Sequence, residues 1–360
     1  MLFAPLDWGL GHTTRCIPLI HYFLSLDCQI IAAVDEKQRA ILEKEFTKIH
    51  FVSLKGYRLV YGKNGWRTLV KIIFQIPKIT AAIYNENKWL KRFVQSNQVH
   101  AVISDNRYGL FNEQLPCIFI THQLAIQVPL GWIARRIIQK INYLFIQRFN
   151  ACWVPDYKNA YLAGKLSHPL YMPSIPVSYI GRLSRIKDPL PAGNPGALLI
   201  ILSGPEPQRS IFEQIIVRQL KQLQTPAVLV RGLPKETGVM VVNKNTIVYN
   251  YLPAVQLAAE IAQADIIISR SGYSTVMDVA GRGKKCLFVP TPGQSEQIYL
   301  ADYLQQKRLC IRFHQAGFSL SDALQQAERF RFAPVDNLPA DIYQKEVSAF
   351  VLKLKEGKKY

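Results

Sequence analysis

A chain of 360 residues that is 49% hydrophobic and 19% charged has ample apolar surface for a core, which excludes a disordered chain, and it is longer than one core usually fills. Its formal net charge is +19, and the excess is uneven: residues 1–186 hold 23 basic and 10 acidic residues, and Lys55 to Arg148 hold 14 basic but only 3 acidic ones. An acidic partner is therefore expected for the N-terminal half. The six cysteines (Cys16, Cys28, Cys117, Cys152, Cys286, Cys310) form no C-x-x-C pair, which excludes a zinc finger or disulfide framework and fits reduced thiols in the cytoplasm. Asp7 interrupts the first apolar residues before a signal peptide forms. The run from Leu115 to Ala134 is broken by Pro116, Pro129 and Gly131, so it makes a poor spanning helix.

In chain order, short apolar runs read as strands: Leu2 to Pro5, Gln29 to Val34, Ala101 to Ser104 and Cys117 to Thr121, then Ala197 to Leu202, Ala227 to Val230, Thr246 to Tyr249, Ile266 to Ser269 and Cys286 to Val289. Strands apolar throughout and separated by helix-length segments indicate parallel sheets covered on both faces, an α/β chain. Between the two series lies a proline- and glycine-rich linker, Lys187 to Gly196. The expected domains are therefore 1–186 and 197–339, both doubly wound and Rossmann-like, facing a cleft. Ile342 to Lys355 reads as a C-terminal helix with Val347, Phe350, Val351 and Leu354 on one face.

In such sheets ligands lie beyond the carboxyl ends of the strands, so the loops after them are where chemistry is sought. The first is Asp7-Trp-Gly-Leu-Gly-His-Thr-Thr-Arg15. Gly11 permits close backbone approach, and His12, at the positive end of a helix, is kept neutral and suited to act as a base; a histidine that merely caps the helix is the alternative. Asp105, after the third run, is a second candidate base, an orienting partner for His12, or a turn-former. His122 and Gln123 follow the next strand. In the second half, Ser203 and Gly204 end a strand without the G-K-[ST] of an NTPase loop. Ser271, Gly272, Ser274 and Thr275 open a helix in a way that suits a diphosphate, with Arg270 beside them and Asp278 one turn on for ribose hydroxyls. Glu296 and Gln297 suit sugar hydroxyls.

The succession G-L-G-H-T-T-R, linker, S-R-S-G-Y-S-T-V-M-D and P-T-P-G-Q-S-E-Q resembles the GT-B glycosyltransferases of family 28, most specifically from Asn250 to Ala301. The resemblance implies a GT-B fold, a nucleotide-sugar donor held mainly by the second domain, an acceptor bound by the first, and residues 340–360 returning to the first. It makes Asp278 the ribose carboxylate, where the peptidoglycan branch has glutamate, and sets Glu296 and Gln297 against the donor sugar. It adds Arg185 near the diphosphate, Leu252 to the donor side, and His122 and Gln123 to the acceptor side. The activity implied is an inverting hexosyl or N-acetylhexosaminyl transfer from a UDP-sugar to a lipid-linked or cell-envelope glycan. The base is His12 or Asp105. A UDP-sugar hydrolase of the same fold is the alternative. No D-x-D occurs in the chain, so no metal and no cofactor beyond the donor is expected; helix starts and arginine meet the leaving-group charge.

Two helical segments combine apolar and basic faces. Leu130 to Phe149 carries Leu130, Ile133, Ile137, Ile141, Leu144 and Phe145 opposite Arg135, Arg136, Gln139 and Lys140; Trp66 to Thr80 carries Trp66, Val70, Ile73 and Phe74 beside Arg67, Lys71 and Lys78. Either the apolar faces are domain core, or the segments lie on an anionic membrane at the inner face of the cell. Nucleic acid is the rival acidic partner. It is not expected, because no helix-turn-helix, zinc finger or RNP-like strand accompanies the charge.

Overall fold

The computed structural model describes residues 1–7, 10–57, 65–126, 131–158, 162–188, 190–191, 196–238, 240–335 and 339–357, with 65–74 by backbone alone. The chain forms two units. The first comprises Met1–Trp8, His12–Leu183 and Pro339–Tyr360, and the second Gly9–Gly11 and Ser184–Leu338. The division thus falls slightly before the expected end at 186. Residues 189 and 192–195 of the expected linker lie outside the described residues.

The first unit holds β1 (Leu2–Pro5), α1 (Leu10–Ser25), β2 (Ile31–Val34), α2 (Glu36–Leu42), β3 (His50–Ser53), α3 (Gly65–Ser96), β4 (Val102–Asp105), β5 (Cys117–Ile120), α4 (Trp132–Ile146), β6 (Ala151–Val154) and β7 (Val177–Tyr179). Its sheet is ordered β3-β2-β1-β4-β5-β6-β7 and every ladder is parallel. In the second unit β8 (Ala197–Ile201), α5 (Gln208–Leu220), β9 (Ala227–Val230), β10 (Thr246–Tyr249), α6 (Ala254–Gln263), β11 (Ala264–Ser269), α7 (Tyr273–Val279), β12 (Lys285–Phe288), α8 (Ser295–Gln306), β13 (Cys310–Arg312) and α9 (Leu320–Arg329) build a parallel sheet ordered β10-β9-β8-β11-β12-β13. The last helix, α10 (Ile342–Lys355), has the expected bounds.

Each strand residue faces one side of its sheet or the other, and both sides are covered. Phe3, Ile103, Ile118, Ile120 and Trp153 pack with Ile17, Ile20 and Phe23 of α1 and with Val347, Phe350 and Val351 of α10. Their neighbours Leu2, Ala4, Val102, Phe119 and Val154 pack on the opposite face with Leu90, Tyr143 and Ile146. That alternation is the period of a pleated strand, and burial on both sides explains why the runs are apolar throughout. α10 therefore completes the core of the first unit rather than standing apart. In the second unit Leu198, Ile200, Leu229, Ile268 and Leu287 form the core with Phe212, Ile216 and Leu220 of α5.

The strand order reverses between β1 and β4 in the first unit and between β8 and β11 in the second. At such a switch point the following helices leave to opposite faces and open a crevice at the carboxyl ends of the strands. His12 and Asp105 flank the first; the loops after Ile201 and Ser269 flank the second.

α4 departs from the core reading of its apolar stripe. Ile133, Ile137, Ile141 and Leu144 are exposed, while Asn142, Tyr143 and Ile146 are the residues that pack inward. The helix sits one face round because Asn142 and Tyr143 have partners below it: Tyr108 Oη donates to Asn142 Oδ1 at 2.7 Å, and Tyr143 Oη to the carbonyl of Tyr171 at 2.6 Å. Leu130 lies outside the described residues, as do the side chains of Trp66, Arg67, Val70, Lys71, Ile73 and Phe74 in α3.

Candidate active site

In the first unit the site is a buried charge cluster at the end of β4. Asp105 is the last residue of that strand, paired in register with Pro5 of β1 and Ile120 of β5. Both its oxygens are engaged. Arg15 Nε donates to Oδ2 at 2.7 Å and Arg15 Nη2 to Oδ1, while His12 Nδ1 lies 3.1 Å from Oδ1 and the Cys16 thiol 3.6 Å from Oδ2. Arg15 Nη1 donates to His122 Nδ1 at 2.7 Å. Spacing explains the convergence: His12, Arg15 and Cys16 are three and four apart on α1, so they share one face of the helix.

Asp105 and Arg15 are 1% and 2% exposed. Burial alone would raise the Asp105 carboxyl, but Arg15 and then His12 outweigh it and hold the group well below the usual carboxylate range. This corrects one of the readings of Asp105. A carboxylate so stabilised, with both oxygens taken, is a poor proton acceptor, and its contact with His12 Nδ1 fits the orienting reading. Because a carboxylate only accepts, His12 Nδ1 carries the ring proton and Nε2 is the basic nitrogen.

The chain directs its next charge elsewhere. Asn106 takes a left-handed φ of 56°, which Asn tolerates better than most residues, and Arg107 then turns into a separate buried network. There its Nε donates to Glu86 Oε1 at 2.8 Å, and Tyr57 Oη donates to Glu86 Oε2 at 2.8 Å. Burial pushes the Glu86 carboxyl up against the pull of Arg107. His122 is buried and belongs to the Asp105 cluster; Gln123 is half-buried, and its carbonyl accepts from Asn142 Nδ2 at 3.3 Å. α4 thereby braces the 121–126 loop from its inner face, where Gln139 also bonds Leu124 and Ile126.

In the second unit Asp278 lies in α7, and Ser184 Oγ donates to its Oδ1 at 2.6 Å. Arg185 Nε is 3.9 Å from Oδ2, and its Nη1 donates to Tyr251 Oη at 2.9 Å and to the Leu252 carbonyl at 3.3 Å. Arg185, Leu252 and Asp278 are thus brought together, as the resemblance implies. Arg282 supports the group through bonds to the carbonyls of Asp278 and Ile186 and to Ser184 Oγ at 3.2 Å.

Three other members of the expected donor set, Arg270, Ser271 and Gln297, make bonds that hold the loops together. Arg270 is buried, donates to the carbonyls of Val289 and Gln208 at 2.9 Å each, and lies over the Phe212 ring. It ties the ends of β11 and β12 to α5, which corrects its reading as a diphosphate contact. Ser271 Oγ donates to the Gln297 carbonyl at 2.7 Å, and Gln297 Oε1 accepts from the Thr291 amide at 2.8 Å while its amide reaches Gln294. Gln297 is 7% exposed, so its side chain shapes the loop into α8. Ser203, Gly272, Ser274, Thr275 and Glu296 are half-buried at that edge, and Gly204 is exposed with a φ of 104° that favours glycine. Gly11, in the first turn of α1, groups with the second unit.

Residues 206–337 match the model of the glycosyltransferase family 28 C-terminal domain. The chain is a family 28-like glycosyltransferase. Among curated proteins it is 24% identical over 282 residues to the UDP-N-acetylglucosamine--N-acetylmuramyl-(pentapeptide) pyrophosphoryl-undecaprenol N-acetylglucosamine transferase of Buchnera aphidicola, with 76% of this chain and 72% of the relative covered. The same enzyme of Pasteurella multocida is 24% identical over 319 residues, covering 82% and 78%. Among solved structures, the glycotransferase of kitacinnamycin superposes with a TM-score of 0.60 at 16% identity over 99% of this chain and 94% of its own. SnogD from Streptomyces nogalater superposes with 0.57 at 15% over 99% and 95%. The fold is therefore the GT-B fold of this glycosyltransferase.

Sequence reasoning passed over Arg15, Ser184, Tyr251 and Arg282. Arg15 had a signal: an arginine three residues after a candidate base, on the same helix, shares its face. Ser184 stood inside the quoted stretch Gly181 to Arg185, but only the fold brings it to Asp278, 94 residues away.

Proposed function

We propose that the protein transfers a hexose or N-acetylhexosamine from a UDP-sugar to a hydroxyl of a lipid-linked or cell-envelope glycan acceptor, inverting the anomeric centre without a metal ion. The observation that carries this reading is the His12–Asp105 pair, an oriented imidazole at the switch point of the first sheet. His12 Nε2 takes the proton of the acceptor hydroxyl as its oxygen attacks the anomeric carbon. The bond from that carbon to the diphosphate breaks, and UDP leaves with the electron pair. One displacement from the opposite face inverts the centre. Arg185 meets the growing diphosphate charge, and Asp278, braced by Ser184, accepts from the ribose. The UDP donor and lipid-linked acceptor are supported by the curated relatives, whose names specify both.

Turnover is tested by incubating the enzyme and EDTA with labelled UDP-sugars, with and without polyprenyl-diphosphate-linked saccharide. Acceptor-dependent UDP release and a product of inverted configuration are expected. Release of free sugar without acceptor would mean a hydrolase, and turnover abolished by EDTA and restored by Mg²⁺ or Mn²⁺ would contradict metal independence.

We place the enzyme on the inner face of the cell membrane, docked by α4. Ile133, Ile137, Ile141 and Leu144 form an exposed apolar stripe, with exposed Arg135, Arg136 and Lys140 on the same helix and exposed Leu170, Tyr171 and Met172 held beside it through Tyr143. No helix among the described residues is long and apolar enough to cross a membrane. An apolar stripe rimmed by cations suits an anionic lipid surface. Ile137→Asp is expected to reduce sedimentation with phosphatidylglycerol vesicles severalfold while leaving the thermal midpoint within a degree or two of wild type, since the side chain is already in water. Binding equal to wild type would remove α4 from the account.

A further inference from the structure

We propose that Arg15 is a positioning residue for the base: its guanidinium shares Asp105 with His12, so that the imidazole is oriented by the carboxylate without being charged by it. The inference rests on the reading of His12 as the base.

A histidine beside a lone buried carboxylate favours the imidazolium form, because the opposite charge is close and unscreened. A base has to be unprotonated when the substrate arrives, so an unbalanced Asp105 would work against His12. The geometry supplies the balance. Arg15 spans both oxygens of Asp105, including Oδ1, the atom that His12 faces at 3.1 Å. At 2% exposure its charge is not screened by water. Its third contact, Nη1 to His122 Nδ1 at 2.7 Å, fixes the plane of the fork. Accepting at Nδ1 puts the His122 proton on Nε2 and keeps that ring neutral.

The groups facing the pair are therefore Arg15 and Cys16 from α1, Asp105 from β4 and His122 from the loop after β5. Burial pushes the Cys16 thiol well up, so it stays neutral as well. Among the described residues the cluster holds one cation, Arg15, and one anion, Asp105, and His12 faces a compensated carboxylate. Arginine suits this because one planar fork reaches two oxygens and a ring nitrogen together, which a lysine ammonium does not.

The test is imidazole ¹⁵N NMR of the full chain, which has seven histidines, with the His12 resonance assigned by its loss in His12→Gln. In Arg15→Gln the His12 pKa is expected to rise by about one unit or more, a roughly tenfold gain in proton affinity. An unchanged or lowered value overturns the proposal. Arg15→Lys keeps the charge and loses the fork. It is expected to titrate near wild type but to populate both neutral tautomers, where wild type shows the Nδ1–H form alone. Retention of the single tautomer in Arg15→Lys overturns the positioning role, and this signature decides the question if Arg15→Gln does not fold. Full turnover in His12→Gln would instead sink the base assignment, with the titration result standing.

Discussion

His12→Gln is expected to lower kcat about 100- to 10,000-fold, the usual contribution of a positioned general base. Glutamine keeps a hydrogen-bonding group for Asp105 and similar bulk, so the fold and the nucleotide site are expected to remain. The loss should appear in kcat with the KM for the donor little changed, because the proton leaves the acceptor hydroxyl as the oxygen attacks and not when the donor binds. A variant with wild-type kcat would mean that another group removes the proton. Asp105 is not that group, since both its oxygens are held and its carboxyl lies well below the usual range. His122 is buried and spends Nδ1 on Arg15.

Asp105→Ala has the larger structural effect. It removes the acceptor of two guanidinium bonds and leaves Arg15 charged, buried and without its counter-ion, and breaking a buried pair from one side costs about 3–5 kcal/mol. Urea unfolding followed by circular dichroism measures this, and a loss under about 1 kcal/mol would show that the cluster is solvated rather than closed. The same pair sets an acid limit. The folded carboxyl is depressed, so its contribution is complete above the unfolded value of about 3.9 and is lost as pH falls through the lower folded value. Wild type is therefore expected to lose stability steeply below about pH 4, and Asp105→Ala more gradually from a lower start.

The double winding was legible because buried parallel strands are apolar throughout, and such runs marked nine of the thirteen strands among the described residues. Three of the four strands it missed are sheet edges: half-burial admits polar residues in His50–Ser53 and Val177–Tyr179, and Cys310–Arg312 is only three residues long and ends on an arginine. His12 and Asp105 were legible from the rule that loops at carboxyl ends carry ligands. Which of them suits the part of base was not, because that depends on Arg15 holding the Asp105 carboxylate and on His122, 107 residues from Arg15, accepting from the same guanidinium. Arg270 misled for a related reason: a cation beside a serine-rich helix start looks the same in sequence whether it faces a ligand or, as here, backbone carbonyls. In α4 the apolar stripe was legible, but whether that face packs was left open, since Asn142 and Tyr143 gain inward partners only in the folded unit.

The central claim, a UDP-sugar site in the second unit built on Asp278, is tested most directly by thermal denaturation of wild type and Asp278→Ala with UDP, UDP-sugars, ADP and GDP, in EDTA. UDP at about 100 times its Kd would stabilise the wild type by about 2.7 kcal/mol, a rise of several degrees in Tm. The account predicts that rise for UDP and at least one UDP-sugar, no comparable response to ADP or GDP, and its loss in Asp278→Ala. An equal response in the variant, or none to any uridine nucleotide in wild type, would contradict it.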